Sequence, residues 1–289
     1  MATFSASLDP DEAATVERNR AAESDASWEW AKTAPDFQTV ETASDDGCHL
    51  TAHVLCCNPE SDHWVVFAHG YHGDWTEGML HARHYAERGF NVLLVEMRGH
   101  ASSGGELVGM GYPDRRDPVA WVEWLVSEKG EDVRVVLHGH SMGGASVCMA
   151  AGEPDLPSQV CAVVSDCAYC DMWNEVAAIL SGGMHIPAHP MLDAMRLSLK
   201  RLLGGYDVVD VSAERAVAHA QVPILVIHGE ADTFVAPYMA TRIADACGGK
   251  AAGDAHDLVL VPSAAHCQSC LADPDRYYSS LFGFVGRYL

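Results

Sequence analysis

Along this chain of 289 residues, short runs of consecutive apolar side chains alternate with longer stretches of helical periodicity. The runs Phe37–Thr42, His49–Cys56, Trp64–Ala68, Phe90–Val95, Val133–Leu137, Val160–Ser165, Ile224–His228 and Leu258–Val261 have the apolar, β-branched character of strands. Between them, Glu77–Arg88, Asp114–Glu128, Gly144–Ala151, Tyr238–Cys247 and Pro274–Tyr288 read as helices, with Trp121 and Trp124 on the buried stripe of the second. Strands that are apolar throughout need cover on both faces. The alternation therefore predicts an α/β fold, a mainly parallel sheet of about eight strands with helices on both sides. Ser44-Asp45-Asp46-Gly47 has the composition of a turn, so the first two strands are expected to pair antiparallel at an edge.

The rhythm breaks twice. Residues 1–27 are polar and acidic, with Glu12–Ala22 helical in pattern, and read as a peripheral N-terminal arm. Residues 169–220 carry Gly182-Gly183, Pro187 and Pro190, then Met191–Leu203, where Leu192, Met195, Leu199, Leu202 and Leu203 recur at helical spacing. This segment is expected to be a small helical cap inserted into a core formed by 28–168 and 221–289.

Charge narrows the choice of partners. Eighteen Lys and Arg against 40 Asp and Glu give a net charge of −22, which repels nucleic acid and anionic membrane surfaces. No stretch reaches the roughly 18 apolar residues of a membrane span. The first residues lack the basic start and apolar core of a signal peptide. Ten cysteines are then expected as reduced thiols in a cytoplasmic protein, with Cys148 and Cys161 acting as small core residues. The oligomeric state is left open.

The chemistry gathers around Val133–Gly144. A predicted strand runs into Gly139-His140-Ser141-Met142-Gly143, a G-x-S-x-G pentapeptide, and then into a small-residue helix. On such a sharp strand-to-helix turn, glycines two residues either side relieve crowding and the serine hydroxyl is lifted clear of the sheet. Serine needs a base, and the base needs a group to orient it. Ile224–His228 runs into Gly229-Glu230-Ala231-Asp232, and Leu258–Val261 runs into Pro262-Ser263-Ala264-Ala265-His266. Ser141 is the expected nucleophile, His266 the base and Asp232 the orienting acid, with Glu230 as the competing acid. That chain order is the one found in α/β-hydrolases. The oxyanion donors are expected to be the backbone N–H groups of Met142 and Tyr71, the latter in the loop His69-Gly70-Tyr71-His72. His69 is read as a buried hydrogen-bonding residue.

Together, His69-Gly70-Tyr71, Arg98-Gly99-His100, Gly139–Gly144, His228–Asp232 and Ala265-His266 resemble an α/β-hydrolase of the serine hydrolase superfamily. Gly109-Met110-Gly111-Tyr112 followed by Asp114 also resembles a bacterial subgroup of small esterase-like hydrolases. The resemblance runs from about Trp28 to the C-terminus. It implies the same triad, the same two oxyanion donors and no cofactor. Ala101 departs from the glycine usual after Arg-Gly-His.

The expected reaction is hydrolysis of a small-molecule carboxylic ester of a small or medium acyl or aromatic acid, through an acyl-serine intermediate. Peptide or amide cleavage, acyl transfer and a non-catalytic binding role are the alternatives. His72, His140, Met184, His185 and Met191 are expected to contact substrate, with Ile186, Leu192 and Met195 as further apolar groups of the cap. No metal is expected. Two C-x-x-C pairs, Cys167–Cys170 and Cys267–Cys270, leave zinc, a redox or disulfide role, and unbonded thiols as readings. His81 with His84, and His185 with His189, are read as solvated or hydrogen-bonded.

Overall fold

The computed structural model describes residues 10–35, 37–180, 192–193, 196, 198, 200–201, 205–247 and 256–289. Its strands are β1 (Gln38–Ala43), β2 (His49–Leu55), β3 (His63–Ala68), β4 (Asn91–Glu96), β5 (Arg134–His140), β6 (Val160–Asp166), β7 (Ile224–Gly229) and β8 (His256–Val261). They form one sheet of eight strands in the order β1-β2-β4-β3-β5-β6-β7-β8. β2 pairs antiparallel with both β1 and β4, and every later neighbour is parallel. This is the sheet that the alternation predicts, including its antiparallel edge.

Strand parity divides the core between the two faces. Along β3, Trp64, Val66 and Ala68 pack on one face with Trp121, Leu125, Leu137 and Met142, while Val65 and Phe67 pack on the other with Tyr85, Leu94, Tyr277 and Phe284. Trp121 is fully buried and Trp124 half-buried, so the stripe on helix Arg116–Lys129 is as expected.

The N-terminal segment is more firmly placed than its composition suggests. Its helix spans Pro10–Ala31, past the expected Glu12–Ala22, and buries Val16. Glu23 pairs with Arg83 at 2.8 Å and with His84 at 3.0 Å, and the Asn19 amide donates to the Leu271 carbonyl. Polar anchors of this kind leave no apolar periodicity to read. Among the described residues no helix is long and apolar enough to cross a membrane.

The segment expected as a cap leaves the sheet after β6. It begins with helix Met172–Ala178, capped by Asp171, whose carboxylate accepts the Asn174 N–H at 2.7 Å. Its last part behaves otherwise. Val208, Val211, Ala213, Val217 and Ala220 are buried in the same core layer as helix Met142–Ala151. A Cβ on Gly152 would lie 2.4 Å from the Ala216 carbonyl oxygen, so the two helices meet backbone to backbone. Gly182-Gly183, Met184, His185, Ile186, Pro187, His189, Pro190, Met191 and Met195 lie outside the described residues.

Candidate active site

At the end of β5 the chain reverses sharply into helix Met142–Ala151. Ser141 sits at the bend with φ 52° and ψ −114°, a conformation that costs a non-glycine residue about 1–3 kcal/mol and persists only where surroundings impose it. The flanking glycines are what make the bend possible. A Cβ on Gly139 would fall 2.4 Å from the Gly143 carbonyl, and one on Gly143 would fall 2.2 Å from the Ala68 carbonyl oxygen. The Ser141 N–H is held by the Asp166 carbonyl at 2.8 Å.

β7 and β8 deliver the partners. His266 Nε2 lies 2.9 Å from Ser141 Oγ, and His266 Nδ1 lies 2.7 Å from Asp232 Oδ2. The second Asp232 oxygen accepts the N–H groups of Phe234 and Val235, each at 2.9 Å. His228 Nε2 stands 3.3 Å from Asp232 Oδ2 and donates to the Val235 carbonyl at 2.9 Å. Burial raises the Asp232 pKa, but the hydrogen bonds from His228 and His266 outweigh it and bring it to about 2. Burial likewise disfavours the charged form of His266, yet Cys267 and Asp232 hold its pKa well above the ordinary value. Glu230, the competing acid, is exposed, and the bond to His266 comes from Asp232.

The loop after β3 passes directly over Ser141. A Cβ on Gly70, the residue before Tyr71, would be 3.5 Å from Ser141 Cβ, so this loop packs against the turn that carries Ser141. The Tyr71 ring is 49% exposed and stacks on the His72 ring at 4.0 Å, so both side chains stand at the rim. His69 is buried as expected, with Nε2 accepting the Met97 N–H at 3.0 Å and Nδ1 donating to the Gly70 carbonyl at 2.7 Å. Burial pushes its pKa down to about 4, so it is neutral.

His140, expected to contact substrate, is buried in the core. It shares strand parity with Val136 and His138, and its side chain enters the face holding Phe67 and Tyr277. There His140 Nε2 meets His81 Nε2 at 3.0 Å and lies 3.4 Å from Asp166 Oδ2. Tyr278 reaches His81, while Tyr85 and Tyr277 flank His138. Burial holds His81 and His138 well below the ordinary histidine range. The motif offers a histidine beside the nucleophile, and only the pleat decides that it points backward. His84, the other member of the spaced pair, is bound to Glu23.

Among the described residues, three groups bring metal-ligating atoms within 4.8 Å of one another: His81, His138 and His140; Cys170, Asp171 and Glu214; and Cys167, His266 and Cys267. In the first, tyrosine hydroxyls and a histidine pair use the ring nitrogens. In the second, Arg242 is paired with both carboxylates. The two C-x-x-C motifs do not join as a four-sulfur site. Cys170 and Cys270 pack on opposite faces of the sheet, while Cys167 and Cys267 meet with sulfurs 3.3 Å apart.

Several residues near the site carry no sequence signal. Glu77 Oε2 accepts the Gly70 N–H at 3.0 Å, and its carboxylate fills the space that a Cβ on Gly73 would need. Glu175 is buried, and among the described residues neither of its oxygens has a hydrogen-bond partner. Burial raises its pKa to about 7. Asp114 is also buried and accepts the Gly111 N–H at 3.0 Å, while Tyr169 and Tyr206 bind the Met110 and Gly109 carbonyls. The glycine-rich segment is thus a folded support and not a reacting group. Ala101 takes φ 44°, a left-handed conformation that favours glycine.

Comparison with known proteins agrees with this geometry. Residues 9–202 match the family described as X-Pro dipeptidyl-peptidase (S15 family). The chain is 22% identical over 239 residues to the uncharacterized protein YqkD of Bacillus subtilis, covering 83% of this chain and 74% of that one. Among solved structures it is similar to the esterase Pf2001 of Pyrococcus furiosus, with a TM-score of 0.69, 21% identity and coverage of 88% and 93% of the two chains. It is also similar to the acylaminoacyl peptidase of Pyrococcus horikoshii, with a TM-score of 0.65, 18% identity and coverage of 89% and 42%. The fold is that of the α/β-hydrolases.

Proposed function

The chain belongs to the S15 family, as a serine hydrolase of the α/β-hydrolase superfamily, and we propose that it cleaves carboxylic esters of small or medium acyl or aromatic acids. The observation that carries this reading is the unbroken chain Ser141 Oγ, His266 Nε2, His266 Nδ1, Asp232 Oδ2, at 2.9 Å and 2.7 Å. Ser141 attacks the ester carbonyl while His266 takes its proton. Asp232 keeps the ring in the required tautomer and balances the imidazolium. The Tyr71 and Met142 N–H groups stabilise the oxyanion, each worth about 10²–10³ in rate. His266 then protonates the leaving alcohol, and water, activated by the same imidazole, releases the acid. The chemistry needs neither metal nor cofactor. His72, exposed beside Tyr71, would contact the substrate.

A p-nitrophenyl ester series of increasing acyl length, run beside Ser141→Ala, tests the proposal. Turnover that peaks at one length and falls by about 10⁴–10⁶ in the variant supports it. Undiminished turnover in Ser141→Ala would sink it.

A second reading is cleavage of an amide or peptide bond near a free amino group. Two things favour it: the family's description, and the Glu175 carboxylate, which has no hydrogen-bond partner among the described residues and feels the charges of His266 and Asp232. A substrate ammonium would pair with that carboxylate. Faster cleavage of free aminoacyl p-nitroanilides than of their N-blocked forms, and loss of that preference in Glu175→Gln, would select this reading over the ester.

A further inference from the structure

The first cysteines of the two C-x-x-C motifs belong to different loops, 100 residues apart in sequence. Cys167 follows the last residue of β6, and Cys267 follows His266. Both have left-handed backbone angles, φ 48° and φ 56°, which non-glycine residues adopt only where the fold imposes them. The Cys167 N–H is fixed by the Ile227 carbonyl at 2.9 Å. The result is two thiols facing each other with sulfurs 3.3 Å apart, directly beside the His266 ring. A disulfide needs about 2.05 Å, so the pair is about 1.3 Å short of a bond. Cys167 is fully buried, while Cys267 is partly exposed.

We propose that Cys167 and Cys267 form a modification site, a dithiol that a hydroperoxide oxidises to a disulfide, and that closing this bond draws His266 away from Ser141. The effect on turnover rests on the hydrolytic reading above; the cross-link itself does not.

The two thiols are unequal in the way the reaction requires. A hydrogen bond from Cys167 pulls the Cys267 thiol well below its ordinary pKa, against burial and with help from His266. Burial holds Cys167 up as a thiol. Cys267 is therefore the nucleophile and Cys167 the resolving group. The Cys267 sulfur attacks the peroxide oxygen, breaking the O–O bond. It becomes a sulfenic acid as the leaving alkoxide takes the proton held on His266 and departs as alcohol, or as water where the oxidant is hydrogen peroxide. Cys167 sulfur then attacks the sulfenic sulfur, the S–S bond forms, and hydroxide takes the Cys167 proton and leaves as water. Two electrons pass from the thiols to the peroxide. Because Cys267 adjoins His266, a displacement on the order of 1 Å is carried to the imidazole, and a misplacement of that size costs about 10²-fold in rate.

The experiment treats the whole protein with hydrogen peroxide, then maps peptides without reduction and assays hydrolysis before and after dithiothreitol. Expected are loss of two thiols, a Cys167–Cys267 linked peptide, and a fall in turnover of about 10²-fold that dithiothreitol reverses. Cys167→Ala should form no such peptide and should lose the reversible component, whereas Cys170→Ser and Cys270→Ser should behave as the parent. Three results would overturn the proposal: linkage elsewhere, such as Cys167 to Cys170; thiols held by stoichiometric zinc in the protein as purified; or the expected cross-link with unchanged turnover. The cross-link in a protein that hydrolyses no ester or amide would support the dithiol site and overturn the hydrolytic reading.

Discussion

Glu77 accepts the Gly70 N–H at 3.0 Å and thereby ties the loop over Ser141 to the turn of 3-10 helix that follows it. Glu77 touches no reacting atom in the proposed mechanism. Its role is to hold the Tyr71 N–H in place. Glu77→Ala should lower kcat about 10–100-fold with little change in KM, and Glu77→Gln, which still accepts the bond, should recover most of that loss. Equal kinetics for the two variants would refute a positioning role.

Asp232 offers a separate handle on the same site. Its Oδ1 is used by two backbone N–H groups and its Oδ2 by His266. Asp232→Asn keeps an oxygen for the backbone but presents an N–H donor to the ring, forcing the wrong tautomer. The expected outcome is a folded protein with kcat reduced about 10⁴-fold. Circular dichroism and ester turnover measured on one preparation decide it.

The pH profile follows from the electrostatics of His266. A general base works only when neutral, and Cys267 and Asp232 favour its charged form despite burial. The acid limb of kcat/KM should therefore lie above the ordinary histidine value of 6.5. Asp232, at about 2, stays ionised throughout and contributes no limb. Cys267→Ser removes the neighbouring negative charge, so the imidazolium loses support and the limb should move to lower pH. A limb that stays in place would mean that Cys267 is a neutral thiol.

Glu175 links the site to stability. Its folded pKa is raised by burial from 4.5 to about 7, so the folded state holds the proton more tightly than the unfolded chain. Below the unfolded value both states are protonated and the group contributes nothing. Above the folded value the buried charge destabilises the fold. Glu175→Gln should therefore stabilise the protein by on the order of 2 kcal/mol at about pH 8.5 and leave it nearly unchanged at about pH 4. Urea melts at the two pH values test this.

What the sequence determined by itself is local or periodic. Apolar runs set the interior strands, because an interior strand is dry on both faces. The glycines around Ser141 set the elbow, because a Cβ at Gly139 or Gly143 collides with backbone. Asp232 and His266 were legible because each follows a strand end within a few residues. Other features arise only when distant segments meet. The polar docking of the N-terminal helix has no period. The burial of Val208–Ala220 depends on which helix they land beside. The inward turn of His140 follows from pleat parity against a core that local pattern does not reveal. The meeting of Cys167 with Cys267, and not of either with its C-x-x-C partner, was decided by β6 and β8 flanking β7, which brings the loops beyond their ends together at the active-site edge.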